Sequence, residues 1–337
     1  MKIVIAGGAD FLGRQRARQL AQREPSARIV CFDQAVPTDA AADPRLQFIA
    51  GDIADAAAVA AVLGSDATSV FHLAAVVSGA AKADFDLGMR VNLDGTRALL
   101  DACRRLPAPP KLVFASSLAV YGGAVPPVVT DEVAPAPQSS YGTQKLIGEL
   151  LVADCTRKGL IDGRSLRPPT IVVRPGKPNA AASSFASAIV REPLAGVEAV
   201  CPVALDSALW LASPQTALAG LQHAHDLPRD RWQRATCGRA LNLPGITVTV
   251  GAMLDALREV GGDAARARVR VQHDERIAAV VGTWPARFDT QAAAELGFAG
   301  DADFTSIVRA YAREYGGALG SQPSPASAGE GAREASG

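Results

Sequence analysis

The sequence predicts an α/β fold, a doubly wound parallel sheet followed by a smaller C-terminal lobe that carries part of a substrate site. Two observations support this prediction. In the first half of the chain, short apolar runs bounded by polar or turn residues alternate with stretches of helical periodicity, as in repeated strand–helix–strand units. Beyond Leu166, repeated prolines interrupt the alternation and indicate a change of architecture.

The apolar runs of the first half are short enough to be strands that are buried on both faces. They are Ile3–Ala6, Ile29–Phe32, Leu46–Ala50, Val70–Leu73 and Leu112–Ala115. Helices are predicted between and after them, at Leu12–Arg23, Ala56–Leu63, Phe85–Arg105 and Tyr141–Arg157. The prolines of residues 107–110 end the third helix.

Composition excludes several functional classes. Lys plus Arg and Asp plus Glu each number 34, so the net charge is zero. The chain therefore lacks the excess of basic charge that would favour binding to nucleic acid or to an anionic membrane surface. The five cysteines form no CxxC pair, and His223 and His225 are the one close pair of histidines, so we expect reduced thiols and no metal site. The start of the chain reads as a strand rather than a signal peptide, and no apolar run approaches the ~20 residues of a membrane span. We therefore expect a cytoplasmic protein.

A glycine-rich turn follows the first strand. Gly7, Gly8 and Gly13, with Phe11 and Leu12 between them, allow a sharp turn and a close approach of a pyrophosphate to the N-terminus of the first helix. Alone, the same pattern is compatible with an ordinary strand-to-helix turn.

Acidic residues after the next two strands make the cofactor assignment more specific. Asp33 lies 20 residues after Gly13 (33 − 13), where a carboxylate binds the adenosine ribose hydroxyls and repels the extra phosphate of NADP, which favours NAD. Asp52, followed by Ile53, is a candidate for the adenine amino group. Each aspartate is also compatible with a helix cap.

The end of the fourth strand adds further candidates for the cofactor site. Leu73, Ala74 and Ala75 follow it, and small residues there permit close approach of a cofactor. His72 is interpreted as a packed residue rather than a catalyst. Asn92 is a poor helix former within a predicted helix, so it is either a surface residue or one that holds backbone and water near the site.

The most specific pattern is Ser116-Ser117 after the fifth strand, followed by Tyr141 and Lys145 on one helix face. Free tyrosine, with a pKa of about 10, is a poor base at neutral pH. A neighbouring ammonium and the positive charge of oxidised nicotinamide stabilise its phenolate. Tyr141 can then remove a proton from a substrate hydroxyl, which a serine hydroxyl orients, while hydride leaves the carbon.

Together these residues resemble the extended short-chain dehydrogenase/reductase family, the NAD-dependent epimerases and dehydratases, from Met1 to about Tyr315. The family motifs TGxxGxxG, a strand-two acid, an acid–hydrophobic pair, SSxxVYG and YxxxK correspond to Gly7/Gly13, Asp33, Asp52-Ile53, residues 116–122 and Tyr141/Lys145. By its position in SSxxVYG, Ser117 matches the catalytic serine of the family, and Ser116 lies beside it. The resemblance implies an NAD-binding Rossmann domain over residues 1–178. It also implies a lobe over residues 179–315 that is mainly for substrate, with segments returning to the main sheet. Residues 316–337, rich in Gly, Ala, Ser and Pro, are expected to be a disordered tail.

One position departs from the family pattern. Asp10 stands where the family has glycine, and a carboxylate facing the pyrophosphate would disfavour NAD binding by about 1 kcal/mol or more. This departure keeps open the alternative of a catalytically impaired NAD-binding homologue.

A narrower resemblance, to the D-erythronate dehydrogenases, rests on residues 78–97, 167–185 and 284–289. It implies oxidation of a small sugar acid, D-erythronate, to 2-dehydro-D-erythronate. A carboxylate substrate needs a fixed cation, for which Arg174 and Lys177 are candidates. The remaining candidates for the substrate pocket are Ser78, Asn179 and Ser183, together with Ser117 and Tyr141.

A nucleotide-sugar 4-epimerase is the main alternative, because it would share the fold, the cofactor and the YxxxK pair. The family resemblance also implies a homodimer in which the outer faces of the helices at Phe85–Arg105 and Tyr141–Arg157 meet.

Overall fold

The computed structural model describes residues 1–37, 43–76, 78–176 and 182–319. Within these residues the chain forms twelve strands: β1 Lys2–Ala6, β2 Arg28–Asp33, β3 Leu46–Ala50, β4 Ala67–His72, β5 Lys111–Ala115, β6 Asp162–Arg167, β7 Thr170–Ile171, β8 Ala199–Cys201, β9 Ala208–Ala212, β10 Leu241–Asn242, β11 Ile246–Thr249 and β12 Val269–Val271.

The same residues form thirteen α-helices: α1 Phe11–Arg23, α2 Ala56–Leu63, α3 Ser78–Ala83, α4 Phe85–Gly88, α5 Gly95–Cys103, α6 Ser140–Arg157, α7 Ser184–Leu194, α8 Pro214–Asp226, α9 Arg229–Thr236, α10 Val250–Ala267, α11 Glu275–Val281, α12 Gln291–Glu295 and α13 Phe304–Leu319. A π-helical segment, Met89–Asp94, joins α4 to α5, and a 3₁₀ turn covers Leu118–Val120.

Seven strands form the main sheet in the order β10-β6-β5-β4-β1-β2-β3, and all neighbours are parallel. This confirms the predicted doubly wound sheet. Apolar side chains fill both faces: Ile5 and Leu20 belong to the core on one side, and Val70 and Leu99 to the core on the other. Strand β10 comes from the second half of the chain and pairs with β6.

Two elements differ from their predicted bounds by more than one residue at an end. Strand β4 begins at Ala67, three residues before the predicted Val70, because Ala67, Thr68 and Ser69 extend the ladder beside β1 although they lack a continuous apolar pattern. The helix predicted at Phe85–Arg105 ends at Cys103 and contains the π-helical segment.

A separate hydrophobic core lies among α7, α10 and α13 and includes Ile189, Leu254 and Val308. Two small sheets border it, one of β11, β9 and β7 and one of β12 and β8. Helix α13 continues to Leu319, and residues 320–337 of the predicted tail lie outside the described residues.

The five cysteines are unpaired. Across the described ranges, we find no helix long and apolar enough to cross a bilayer. The same ranges hold no group of three or more His, Cys, Asp or Glu side chains arranged for a metal ion.

Candidate active site

The carboxyl ends of the central strands bring the predicted site residues to one edge of the main sheet. Ala6, the last residue of β1, is in register with Phe32 on β2 and His72 on β4. The residues that follow these strands, including Gly7, Asp33 and Leu73, therefore start from one crevice, the usual ligand position in such sheets.

Close packing explains the glycines of the turn after β1. Gly7 has a φ of +82°, and a Cβ there would lie 2.5 Å from the Ala74 nitrogen. A Cβ on Gly13 would lie 2.0 Å from the Gly7 carbonyl oxygen, and one on Gly8 would lie 2.6 Å from Cys31 Cβ. The turn is thus compact, and it leads directly into α1 at Phe11 and Leu12.

Asp33 ties this turn to β2. One carboxylate oxygen accepts a hydrogen bond from Ala9 N at 2.9 Å and the other accepts one from Gln34 N at 2.8 Å. Each oxygen keeps acceptor capacity for a ribose hydroxyl. Amide N–H groups at the start of α1 and a carboxylate at the end of β2 fit a dinucleotide.

Asp52 is held differently. Its carboxylate accepts hydrogen bonds from Ala54 N, at 2.9 Å, and from the Arg90 guanidinium. The bond from Ala54 and the nearby charge of Arg90 lower the pKa of Asp52. The next residue, Ile53, is buried against Gly95 of α5. The adenine-binding role of Asp52 stays a prediction.

Backbone contacts hold the segment after β4. Leu73 N donates to the Ala6 carbonyl at 2.8 Å, which places Ala74 beside the glycine turn, and Ala75 follows it. Asn92 is 3% exposed, so the surface alternative for it is wrong. Its side-chain oxygen accepts from Val76 N at 2.8 Å, and its amide nitrogen donates to Gln144 Oε1 at 2.7 Å. Asn92 therefore fastens this segment to α6.

His72 is a buried, packed residue, as expected. Its Nε2 lies 2.8 Å from the Thr96 hydroxyl, and its ring packs against Phe114. Burial, with a smaller contribution from the charge of Lys145, lowers the pKa of His72 to about 3, so the ring is neutral at physiological pH.

A tight helix approach brings the predicted catalytic residues together. Helix α6 begins after Ser139, whose hydroxyl accepts from Gly142 N at 3.1 Å. A Cβ on Gly142 would lie 2.0 Å from the Ala119 carbonyl oxygen, so glycine lets the first turn of α6 rest on the 3₁₀ turn. That contact brings Tyr141 near Ser117, whose side chain helps to lower the pKa of the phenol.

Lys145 lies one helical turn beyond Tyr141 and is 3% exposed. Its Nζ donates to the Ala115 carbonyl at 2.8 Å, and it lies 4.9 Å from the centre of the Phe114 ring and 5.8 Å from that of Tyr141. The ammonium is therefore held against the end of β5, beside the phenol.

Burial of Tyr141 disfavours its phenolate, and neighbouring groups partly offset that effect. Burial raises the pKa of Tyr141, whereas the hydrogen bond with Ser117 and the charge of Arg174 lower it. Burial also lowers the pKa of Lys145 to about 8, and the charge of Glu149 opposes that fall. Lys145 therefore carries its charge below a pH of about 8 and loses it as the pH rises above that value.

A buried polar network behind Lys145 was missed by the sequence analysis. Glu149 is 5% exposed and forms a two-bond ion pair with Arg167, at 2.9 and 2.6 Å. Arg167 also donates to the Tyr121 hydroxyl at 2.6 Å, and that hydroxyl bonds the side chain of Asn242 on β10. The position of Glu149, four residues after Lys145, could have indicated a shared helix face.

Ser116 belongs to this network. It is buried, and its hydroxyl donates to Glu149 rather than to the Tyr141 hydroxyl. Its backbone N–H donates to the Leu166 carbonyl at 2.7 Å. Of the serine pair, Ser117 is thus the one beside Tyr141.

The predicted substrate residues are brought together only in part. The charge of Arg174 acts on Tyr141, while Ser183 lies at the start of α7 and Ser78 at the start of α3. Lys177 and Asn179 lie outside the described residues.

The backbone of Arg174 is fixed on both sides by α7: its N–H donates to Ser187 Oγ at 3.2 Å, and its carbonyl accepts from Arg191 at 2.8 Å.

Comparison with known proteins agrees with this geometry. Residues 3–206 match the NAD dependent epimerase/dehydratase family. The chain is 51% identical to a D-erythronate dehydrogenase of Cupriavidus necator, covering 94% of this chain and 99% of that protein. It is 41% identical to a D-erythronate dehydrogenase of Haemophilus influenzae, covering 92% and 98%. A crystal structure described as a nucleoside-diphosphate-sugar epimerase from Agrobacterium tumefaciens superposes with a TM-score of 0.87 at 39% identity, covering 95% and 96% of the two chains.

Proposed function

The chain belongs to the NAD dependent epimerase/dehydratase family and is an NAD-dependent oxidoreductase, and we propose that it oxidises a small sugar acid, D-erythronate, to 2-dehydro-D-erythronate. The observation that carries the proposal is Arg174, whose backbone is held by α7 and whose charge lowers the pKa of the predicted base Tyr141. A 2-hydroxy acid presents a carboxylate adjacent to the carbon that is oxidised. A guanidinium beside the base suits that pair of groups. The names of the two near-full-length relatives identify which acid to test.

In the proposed reaction, Arg174 binds the substrate carboxylate and Ser117 orients the C2 hydroxyl. Tyr141, as phenolate, accepts the hydroxyl proton, and the charge of Lys145 stabilises that phenolate. Bound NAD would accept the hydride from C2. The amide groups after Gly8 and the carboxylate of Asp33 are the groups proposed to hold its pyrophosphate and ribose.

The assay is NADH formation from NAD⁺ with D-erythronate, with L-threonate and related sugar acids alongside, and with identification of the product by NMR. We expect D-erythronate to be turned over fastest, with one 2-dehydro product formed per NADH. Appearance of NADH with another acid and not with D-erythronate would contradict the substrate assignment.

The epimerase alternative has one specific observation in its favour, the description of the Agrobacterium structure. An epimerase returns the hydride to its sugar and produces no net NADH. UDP-sugars are therefore incubated with the protein and examined for interconversion. Epimerisation without turnover of any acid would favour this second function. NAD binding without either reaction would favour the impaired homologue.

We also propose a homodimer in which α6 and the helical segment from α4 to α5 meet their copies. Phe85, on α4, is 58% exposed and Leu150, on α6, is 63% exposed, which is unusual for large apolar side chains. Light scattering of the purified protein would show a mass of two chains. The proposed compartment is the cytoplasm, which fractionation of cells would test.

A further inference from the structure

The ring of Phe114 is the surface against which the Lys145 ammonium lies. Phe114 is on β5, directly before Ala115, and is 1% exposed. Lys145 Nζ lies over this ring, 4.9 Å from its centre, and donates to the Ala115 carbonyl at 2.8 Å. That bond uses one of the three donors of the ammonium. A cation placed over an aromatic ring is attracted by its negative face, most strongly where water is excluded.

A glycine of α6 allows the helix and the ring to come this close. Gly148 follows Lys145 by one helical turn and lies on the same side of the helix. A Cβ on Gly148 would lie 2.7 Å from Phe114 Cζ and 3.1 Å from Phe114 Cε1. A larger residue there would push α6 away from β5. With glycine, α6 rests on the ring, and the side chain of Lys145 reaches the end of β5 across its face.

The titratable groups that face this ammonium give it little direct support. Across the residues that the structure describes, no carboxylate lies within 4.0 Å of Lys145 Nζ. Glu149, whose charge acts on Lys145, is bonded to Arg167 on β6 at 2.9 and 2.6 Å. His72 on β4 packs on the same aromatic ring, with 5.2 Å between ring centres, and is neutral. The phenol ring of Tyr141 is centred 5.8 Å from Nζ.

Charged side chains on the π-helical segment, α5 and β6 have ion partners of their own. Besides the pair of Glu149 with Arg167, these are Arg90 with Asp52, Arg97 with Asp94, Arg104 with Asp101 and Arg164 with Asp162. The acids of the α4 region, Asp84 and Asp86, are exposed. Direct support for the charge of Lys145 therefore comes from the Ala115 carbonyl and the Phe114 ring.

We propose that Phe114 is a positioning residue for the proton transfer assigned to Tyr141, because its ring holds the Lys145 ammonium in place and favours the charged form of that side chain. This inference rests on the proposed roles of Tyr141 and Lys145, and Phe114 acts through Lys145. The ring attracts the ammonium but not the neutral amine. It therefore raises the pKa of Lys145 and opposes the fall that burial causes.

The first test reads the pKa of Lys145 directly by NMR. The chain has six lysines, so a protein that carries lysine labelled at Cε gives a simple spectrum, in which the Lys145 signal is the one lost in Lys145→Met. Phe114→Leu keeps the position apolar and removes the ring. We expect the pKa of Lys145 to fall by about one unit in this variant, the size of shift that a desolvated cation–ring contact supports.

Kinetics give a second measurement of the same shift. Lys145 is charged below its pKa, so a lower pKa removes activity first at alkaline pH. The alkaline limb of kcat/KM in Phe114→Leu should move to lower pH by about one unit, while NAD affinity well below that limb stays within about threefold. A purely structural role would reduce activity at every pH and leave the limb in place, which would contradict the proposal.

Phe71→Leu is the matched control. Phe71 is a fully buried ring on β4 with a cation of its own, since Arg16 lies 5.3 Å from its centre. Arg16 donates to the Leu218 carbonyl of α8, away from Tyr141. Phe71→Leu should lower the Tm by a few degrees, as Phe114→Leu does, but should leave the pKa of Lys145 unchanged.

The parent protein provides a test that needs no variant of Phe114. A ring beneath the side chain should shift the Hε signals of Lys145 upfield of those of the exposed lysines. Absence of that shift would overturn the proposal. So would a Lys145 pKa that stays the same or rises in Phe114→Leu, or one that falls equally in Phe71→Leu. Because the NMR measurements need no substrate, their outcome stands whether or not D-erythronate is oxidised.

Discussion

The two ends of the cofactor crevice use similar charges in different surroundings. At the end assigned to adenosine, Asp52 pairs with Arg90, and their side chains are 36% and 48% exposed. At the end assigned to nicotinamide, Glu149 pairs with Arg167, and these side chains are 5% and 6% exposed. An exposed pair contributes little because water and salt screen it, whereas removing one partner of a buried pair leaves a charge without solvation.

The difference in solvent exposure between the two ends matches the different tasks assigned to them. Recognition of ribose and adenine requires acceptors that a soluble cofactor can reach, so an open, hydrated end suffices. The proton transfer proposed for Tyr141 requires a perturbed acid–base pair, and enclosure lowers the pKa of Lys145 to about 8. The enclosed end is therefore where substitutions should have the largest effects.

The largest expected effect tests the enclosed end directly. Tyr141→Phe removes the predicted base and should reduce turnover by about a thousandfold or more, while NAD affinity stays within about twofold. Tyr121→Phe is the matched control. It removes a buried hydroxyl that bonds Arg167, and should cost less than about tenfold in turnover. Turnover that survives Tyr141→Phe would mean that another residue is the base.

The second prediction concerns pH. Glu149 raises the pKa of Lys145, so Glu149→Gln should lower that pKa below about 8. Since the phenolate needs the charged ammonium, activity is present below this pKa and is lost as pH rises through it. The alkaline limb of kcat/KM should move to lower pH by on the order of one unit.

The same substitution should reduce the free energy of unfolding by about 3 kcal/mol, because Arg167 stays buried without its partner. Glu149→Gln combined with Arg167→Met separates the two effects. It should recover stability and retain the shifted limb. Recovery of the original pH profile in the double variant would show that Glu149 acts only through folding.

The prediction with the smallest expected effect compares two acids at the open end of the crevice, Asp33 and Asp52. Asp33→Asn should weaken NAD binding about tenfold and reduce the preference for NAD over NADP, because its carboxylate both holds Ala9 and is assigned to the ribose. Asp52→Asn should change NAD affinity by less than about threefold, since its exposed pair with Arg90 is screened. Equal losses of NAD affinity in the two variants would contradict the prediction that Asp33 contributes more than Asp52 to cofactor binding.

Much of the main sheet could be predicted because its signals are local. An apolar run such as Leu46–Ala50 is a strand of the same bounds in the structure, and Ala56–Leu63 is a helix of the same bounds. The glycine turn, Asp33 and the Tyr141–Lys145 pair were likewise found from spacing alone. Element ends were less predictable: β4 starts three residues early because pairing with β1, rather than side-chain pattern, extends it.

By itself the sequence determined the order of strands and helices in the main sheet, the glycine turn after β1 and the helix face that Tyr141 and Lys145 share, since each depends on residues close together in the chain. Only the tertiary structure decided what surrounds the tyrosine. Glu149 on α6, Arg167 on β6 and Asn242 on β10 lie far apart in the chain and meet because β5, β6 and β10 are neighbours in the sheet. Such contacts follow from packing, which no local pattern encodes.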